Sequence, residues 1–348
     1  MNYGISVIFR AIPLLMALFC FSYGLFIFDS GTETDRFVAG PVVFSLGMIC
    51  IALFATAATI IRQIIHTYNS VVKYALPIVG YLSAVITVIG GLFLLTLPSD
   101  SSLFVVGHVI CGVGFITACV ATTATSSTRF TLIQINAKSE DPRIPKEAFT
   151  KGQAVTLISI SVIIAVITWV WAFKLLSQSG EHSQYFIAGH VMAGLACICT
   201  SLVALVATIV RQIRNTYSDF ERNWWPGFVL FFGTLSIFWG LIIMGIENPL
   251  KSTTGYIMVG LGLVCYSISS KVILLAKIWK REFKLANRIP LIPIFTALAC
   301  FFMSSYLFDI AEESVFYFVP ARVLAGLGGI CFTLFSIVSI LESGTSTK

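Results

Sequence analysis

The sequence predicts an all-α polytopic membrane protein with ten transmembrane helices that form five parallel helical-hairpin repeats. Composition is the first observation behind this fold class: 57% of the 348 residues are hydrophobic, 11% are charged, and the mean hydropathy is +0.93. In soluble domains about a quarter of the residues carry charge. The second observation is a set of ten long uncharged stretches, and the third is a block that recurs five times.

The ten uncharged stretches each hold at least 18 residues without Asp, Glu, Lys or Arg. Because an α-helix rises about 1.5 Å per residue, each stretch is long enough to cross about 30 Å of hydrocarbon. Strands of a membrane barrel would be about half as long and would alternate in polarity. We therefore predict a single transmembrane domain over residues 1–348. In chain order the stretches cover 11–28, 37–61, 74–97, 103–128, 152–173, 185–210, 223–246, 253–270, 289–308 and 323–341.

The recurring block surrounds one position, which we call the slot, with aromatic and small residues. The slot residues are Pro41, His108, His190, Tyr256 and Arg322. They are separated by 67, 82, 66 and 66 residues, so a single insertion accounts for the irregular interval. Self-similarity at a fixed period indicates duplicated structural units.

Each copy of the block fits a helical hairpin, in which an outgoing helix and a short loop precede a returning helix that carries the slot. Short connections favour antiparallel packing of the two helices. Since every hairpin crosses the membrane twice, all copies enter in the same sense, and five parallel copies suggest a ring around a pseudo-fivefold axis. The predicted hairpins cover approximately 5–61, 74–128, 152–210, 223–276 and 289–341, and a cytoplasmic loop covers 129–151.

The basic residues predict the orientation, because Lys and Arg near membrane ends are retained in the cytoplasm. Of the 22 Lys and Arg residues, 17 lie on the side of both termini, whereas Arg36, Lys174 and Lys251 lie opposite. Both termini are therefore predicted to be cytoplasmic. Because the basic residues are spread over separate short loops, we do not expect nucleic-acid binding. The lipid bilayer is the predicted partner, with anionic lipid at the cytoplasmic basic loops.

Signatures of catalysis and metal binding are absent from the sequence. It has no Gly-x-Ser-x-Gly, no His-Glu-x-x-His and no phosphate-binding glycine loop. His108 and Cys111 lack further partners at metal-ligand spacing. All nine cysteines lie inside apolar stretches, which argues against a disulfide framework. We therefore expect neither an enzyme nor a bound cofactor or metal.

Five residues are candidates for a pathway or a pH response. They are His108, His190, Arg322, Tyr256 and Lys271. The first four occupy the slot near the exterior end of a returning helix, so a ring of hairpins would bring them to one depth. Free histidine titrates near pH 6.5, and external acid would then charge this collar or shift helix packing. The alternative is that these side chains meet the membrane interface or a loop carboxylate.

Lys271 and the glycines of the returning helices each leave two interpretations open. Ionisable groups at the depth of Lys271 are often functional, but a long side chain near a helix end also snorkels to the membrane surface. Small residues such as Gly107 and Gly189 let membrane helices approach closely. A role in lining a narrow pathway is the alternative for these glycines.

Several segments resemble the YhiM-type inner-membrane proteins of Gram-negative bacteria. They are LANRIPLIP at 285–293, GLGGICFTLFSIVSILE at 326–342, the Phe-x-Ala-Gly-His block at 186–190 and the run at 207–210. The resemblance implies a multi-pass protein of the bacterial inner membrane that is associated with survival of acid stress. It supplies no catalytic or binding residues. Pro41, at the slot where the first block would be expected to hold His, weakens any argument that needs a complete histidine ring.

Two functional hypotheses follow from these observations. The first is a channel or transporter of a small solute or ion, with a pathway along the predicted axis and His108, His190 and Arg322 near its outer mouth. The second is a nonconducting membrane scaffold or acid sensor with a solidly packed centre. A hydrated cavity along the axis would favour the first hypothesis, and a dry centre packed with glycine would favour the second.

Overall fold

The computed structural model describes residues 3–30, 35–65, 67–97, 101–129, 148–180, 182–279, 288–312 and 314–345. Over these residues the secondary structure is helical and contains no strand, and ten helices are long and apolar enough to cross a membrane. The predicted all-α polytopic fold is therefore confirmed. Most of the predicted cytoplasmic loop at 129–151 lies outside the described residues.

The described residues form ten α-helices. They are α1 (Tyr3–Ser30), α2 (Gly40–Ile64), α3 (Ser70–Thr96), α4 (Ser101–Ser126), α5 (Lys151–Leu176), α6 (Ser183–Ile213), α7 (Asp219–Met244), α8 (Pro249–Trp279), α9 (Leu291–Ala311) and α10 (Phe318–Thr345). A short π-helix (Asp35–Ala39) precedes α2, and 3-10 turns follow α4 (Ser127–Arg129) and precede α10 (Val315–Tyr317).

Polar caps begin three of the odd-numbered helices. The Asn69 side chain accepts a hydrogen bond from the Val72 backbone N–H at the start of α3. Thr150 and Ser218 form capping boxes at the starts of α5 and α7. In each, the cap hydroxyl accepts a hydrogen bond from the backbone N–H of the third helical residue, whose side chain accepts one from the cap N–H. These caps satisfy backbone N–H groups that would otherwise lack partners where the helix begins.

The even-numbered helices lie inside the bundle and the odd-numbered helices lie outside. Within the most apolar window of each helix, 61–94% of the residues are buried in even helices and 28–33% in odd helices. The odd helices expose large apolar side chains, with Phe302 72% exposed and Phe238 and Val170 each 63% exposed. Such surfaces face lipid in a membrane protein, because water would disfavour so large an apolar area.

The five even helices form a closed ring. Each contacts the next in the order α2, α4, α6, α8, α10, and α10 contacts α2. Every odd helix packs against its hairpin partner and also against the even helix before it, so α3 bridges α2 and α4, and α1 bridges α10 and α2. This order of contacts places a lipid-facing outer layer around an inner ring; the pseudo-fivefold axis itself stays a prediction.

Glycine permits the closest approach of the two helices in a hairpin. A Cβ added to Gly91 of α3 would lie 2.7 Å from the backbone nitrogen of Cys111 and 2.8 Å from the carbonyl oxygen of Gly107, both in α4. Gly240 of α7 and Gly255 of α8 face each other in the same way in the fourth hairpin. A Cβ added to Gly240 would lie 2.7 Å from the carbonyl oxygen of Gly255. Small residues at such crossings let dispersion contacts hold membrane helices together.

Candidate functional site

A cavity enclosed by described residues lies inside the inner ring, at the end where the even helices begin. Its volume is about 520 Å³, within the range typical of small-molecule sites. All five even helices, or the short turns that lead into them, contribute to its wall. Since residues near the start of every even helix meet at this cavity, the five even helices begin at the same end of the bundle. We call this cavity the vestibule.

The vestibule wall is organised in three levels, each with one residue from every inner helix or from the short helix that leads into it. Level 1 consists of Val38, Val105, Ile187, Thr253 and Val319. Level 2 consists of Val42, Val109, Val191, Ile257 and Val323. Level 3 consists of Leu46, Val113, Leu195, Leu261 and Leu327. Within each level the residue numbers differ by 67, 82, 66 and 66, the intervals that separate the slots in the sequence.

Two further levels continue from the floor of the vestibule toward the other end of the bundle. Level 4 consists of Ile49, Ile116, Ile198, Val264 and Ile330. Level 5 consists of Leu53, Val120, Leu202, Ile268 and Leu334. Together with the leucines of level 3 they surround a void of about 30 Å³, which is the share of a single water molecule in the liquid. We call levels 3 to 5 the constriction.

The step between levels within one helix is four, four, three and then four residues. This is the spacing of a single stripe on an α-helix with 3.6 residues per turn. Every lining side chain in the constriction is aliphatic, so the closed ring offers no hydrogen bond to water or to an ion at these levels. Narrow hydrophobic constrictions close a pathway by excluding water.

The leucines of level 3 pack into notches made by glycines on the preceding inner helix. A Cβ added to Gly112, Gly194 or Gly326 would lie 2.5–2.6 Å from a Cδ1 atom of Leu195, Leu261 or Leu46, respectively. A Cβ added to Gly260 would lie 2.5 Å from a side-chain atom of Leu324 and 2.8 Å from one of Leu327. These glycines therefore have the packing role expected from the sequence, and they fix the leucines that form the floor of the vestibule.

One of the five contacts at level 3, between α2 and α4, differs from the other four in both of its residues. In the first copy the residue four after the slot is Ser45, whereas the other four copies have glycine there, and the residue that follows in the ring is Val113 in place of leucine. Where a larger side chain replaces the glycine, a smaller one therefore occupies level 3. Ser45 is buried and donates a hydrogen bond to the Val42 carbonyl oxygen, so its hydroxyl is satisfied within α2.

The candidate histidines lie at the predicted depth but point between helices. His108 and His190 are 7% and 8% exposed. In each ring Nδ1 lies 2.7 Å from the carbonyl oxygen four residues earlier, which only accepts, so Nδ1 donates. The edge of His108 contacts Trp171 of α5 and that of His190 contacts Trp239 of α7, with centroids 5.7 and 5.6 Å apart.

The other two slot candidates also pack against aromatic rings. The guanidinium carbon of Arg322 lies 3.7 Å from the ring centroid of Phe318, four residues earlier. The ring of Tyr256 meets Tyr317 edge-on at 6.2 Å. Among the described residues, no slot side chain belongs to the vestibule wall. The wall therefore differs from the collar of His108, His190 and Arg322 that we expected from the sequence.

The polar groups that do line the vestibule come from the turns before the inner helices and from the first residues of those helices. They are Ser102, His182, Ser183, Gln184, Thr253 and Thr254. Thr254 is 1% exposed, and its hydroxyl oxygen has no hydrogen-bond partner among the described residues. Sequence reasoning missed this rim because serine and threonine near a helix start are ordinary, and only the ring brings them together.

Lys271 lies on α8, three residues beyond Ile268 of level 5. It is 2% exposed, so its side chain does not reach the surface of the bundle as snorkelling would require. The equivalent residues of the other inner helices are Thr56, Thr123, Leu205 and Ile337, and all are at most 2% exposed. Lys271 is therefore a buried amine on an inner helix, one step along the chain beyond the constriction.

Metal binding finds no support in the described residues. No cluster of three or more His, Cys, Asp or Glu side chains is placed to hold an ion. The nine cysteines are all buried and unpaired. They serve as small packing residues, for example Cys50 and Cys331, which are both 0% exposed.

Comparisons with known proteins agree over the whole chain. Residues 1–346 match the family described as protein of unknown function (DUF2776). The chain is 44% identical over 353 aligned residues to the inner membrane protein YhiM of Escherichia coli strain K12, and the match covers 100% of both chains. No solved structure matches this chain.

Proposed function

We propose a function for this chain from one premise: it belongs to the family described as protein of unknown function (DUF2776). The match to YhiM confirms the family resemblance found in the sequence. The chain is a multi-pass inner-membrane protein with ten membrane-length helices. The basic residues predict that both termini lie in the cytoplasm. Because the even helices begin at the other end of the bundle, the vestibule would open to the exterior.

The proposed function is passage of a small solute or ion through the inner ring, along a pathway that this structure holds closed. One observation carries it: five helices place equivalent residues around a single vestibule that narrows into an aliphatic constriction. A solidly packed scaffold would not need a cavity of about 520 Å³ at its centre. The function is therefore that of a gated channel or transporter and not that of an enzyme.

A role in acid stress, which the resemblance implies, has a physical basis in the two buried histidines. Each fills the contact between an inner helix and the tryptophan of an outer helix, with a phenylalanine of its own helix on one side. A proton added to either ring would bring a charge into this apolar contact, which favours a looser packing of inner and outer helices. The histidines would then loosen the constriction through helix packing, without lining the vestibule themselves.

Proteoliposomes that contain the purified chain test both parts of this proposal. We expect ion or small-solute flux above that of protein-free liposomes, with a rise of up to about tenfold from external pH 8 to pH 5 as an open minor state becomes populated. His108→Gln with His190→Gln should flatten this pH dependence, because Gln cannot take up the proton. The measurement is efflux of an encapsulated dye or ion at each external pH.

His182→Gln is the comparison variant, since this histidine lies exposed on the vestibule rim. A pH profile that flattens in His182→Gln and not in the double Gln variant would assign the pH response to the rim. If flux occurs but the double Gln variant keeps the pH profile of the wild type, the histidines do not control the gate. Absence of flux at every pH would favour the nonconducting scaffold or acid sensor. In that case the cytoplasmic basic loops and anionic lipid would be the next contacts to test.

A further inference from the structure

Lys271 continues the stripe that lines the vestibule and the constriction. In α8 the lining residues Thr253, Ile257, Leu261, Val264 and Ile268 follow steps of four, four, three and four, and Lys271 comes three residues later. At about 100° per residue, Lys271 has the same angular position on the helix as Thr253. The residue therefore belongs to the next level of the proposed pathway, which we call level 6.

Level 6 is mixed: the neighbouring helices α2 and α4 carry threonine, and Lys271 of α8 lies between the apolar residues of α6 and α10. It consists of Thr56, Thr123, Leu205, Lys271 and Ile337, all at most 2% exposed. The two threonine hydroxyls donate to carbonyl oxygens of their own helices. Level 6 is thus the first level below the constriction that contains a charged or hydroxyl-bearing side chain.

No carboxylate pairs with Lys271 among the described residues. The inner helices hold one acidic residue there, Glu342 in the last turns of α10. Of the adjoining outer helices, α9 has Asp309 at the opposite end of the bundle, and α7 begins with Asp219 and Glu221, of which Glu221 pairs with Arg211. A positive charge on the Lys271 amine would therefore have no counter-charge at level 6 among the described residues.

A purely structural role does not account for this lysine. A buried ammonium without a partner destabilises its surroundings, and an apolar side chain of similar length would be more favourable there. Unpaired charges inside membrane proteins are retained for function more often than for stability. The missing counter-charge is best supplied by a ligand that enters the pathway.

The chemistry of the levels above limits what that ligand is. Levels 3 to 5 offer only aliphatic side chains, so an ion that passes them must shed most of its water. A cation would then meet a like charge at level 6, whereas an anion would meet its counter-charge. A divalent or strongly hydrated anion would lose too much hydration in the constriction.

We propose that Lys271 is the binding residue for a small, weakly hydrated monovalent anion, and that the pathway is selective for such anions. This inference rests on the proposed function, because it assigns a substrate class to the same pathway. The protonated Lys271 amine attracts the anion through the constriction, and its N–H groups replace part of the anion's hydration shell. Chloride and iodide are the simplest probes of this class.

Selectivity is measured best when the constriction is open. The threonine-stripe variant combines Leu195→Thr, Ile198→Thr and Leu202→Thr, which places one polar stripe of α6 through levels 3 to 5. Across a potassium chloride gradient in a planar bilayer, we expect its reversal potential near that of chloride, with a chloride permeability at least about tenfold above that of potassium. Adding Lys271→Met should remove most of this preference, and Lys271→Arg should retain it.

Lys277→Met is the control, because Lys277 lies in the last turn of the same helix and outside level 6. The proposal is overturned if the current in the threonine-stripe variant is nonselective or carried by potassium, or if Lys271→Met leaves the reversal potential unchanged. Lys271→Met should fold, since it exchanges a buried charge for an apolar side chain, and its melting temperature should exceed that of the wild type.

Iodide binding to the closed protein separates this inference from the proposed function. In detergent, sodium iodide should raise the melting temperature of the wild type and of Lys277→Met by several degrees more than equimolar sodium gluconate does, by mass action. Lys271→Met should lack this difference. If no current flows through the threonine-stripe variant, conduction is contradicted, and the iodide result still decides the anion site: equal shifts in all three proteins exclude it.

Discussion

In proteoliposomes, the threonine-stripe variant is expected to pass small ions at least about tenfold faster than the wild type. Its three substitutions replace Leu195, Ile198 and Leu202, which line levels 3, 4 and 5 on one face of α6. A threonine hydroxyl in a helix donates a hydrogen bond to the carbonyl oxygen four residues earlier, as Thr56 and Thr123 do. We therefore expect α6 to remain helical. The hydroxyls let water enter where the aliphatic ring excludes it.

The matched control places the same three threonines on the lipid face of α5. Ile163→Thr, Val166→Thr and Val170→Thr keep the spacing of three and then four residues, and these side chains are 56%, 55% and 63% exposed. Flux through this control should equal that of the wild type, because no lining residue changes. A threonine-stripe variant that folds, inserts and yet conducts no better than this control would show that the constriction is not the barrier.

The largest loss of stability is expected for Gly91→Val. The added Cβ would lie 2.7 Å from the Cys111 nitrogen and 2.8 Å from the Gly107 oxygen, both of them backbone atoms of α4. Backbone atoms cannot rotate away, so α3 and α4 must separate over this crossing. Overpacking of this kind costs about 1–3 kcal/mol and occasionally more. We expect a melting temperature several degrees lower and a loss of monodisperse protein in detergent.

Gly90→Val is the control that the chain itself provides. Gly90 is the preceding residue of α3, and a Cβ added there meets no atom within 4 Å. Both variants carry the same intrinsic change in helix propensity, so the difference between their melting temperatures isolates the contact with α4. Equal melting temperatures would mean that α3 and α4 do not cross at Gly91.

The sequence predicts the membrane-length helices well because their physical requirement is local. A stretch without charge that is long enough to span hydrocarbon is recognisable by counting residues, and ten such stretches became ten helices. The direction of a side chain is not local in the same sense. Leu241 and Leu261 both lie in apolar helices, yet Leu241 is 53% exposed on the outside and Leu261 is 2% exposed at level 3.

The slot residues show that the sequence predicts the depth of a side chain in the bundle but not the direction in which it points. Intervals between the slots predict a common depth, and the lining levels follow those intervals. His108 and His190 nevertheless face Trp171 and Trp239, whereas the residues that follow them, Val109 and Val191, line the vestibule. One residue turns a helix by about 100°, and no polar face marks the axis in helices that are apolar all round.

Lys271 shows that the burial of a side chain is also hard to predict from the sequence. Its distance from the helix end permits snorkelling, and the sequence alone does not say whether neighbours surround the side chain. In the folded bundle Lys271 is 2% exposed, on a helix of the closed ring formed by α2, α4, α6, α8 and α10. Burial of this residue follows from contacts between copies of the hairpin, which no single copy contains.

A density map of the protein in lipid nanodiscs tests the central claim most directly. We expect the five even helices to enclose a hydrated vestibule of about 520 Å³ that ends at Leu46, Leu195, Leu261 and Leu327. Lys271 should lie below this floor, inside the ring. A centre filled by side chains or lipid, or a different order of inner helices, would contradict a pathway through this protein.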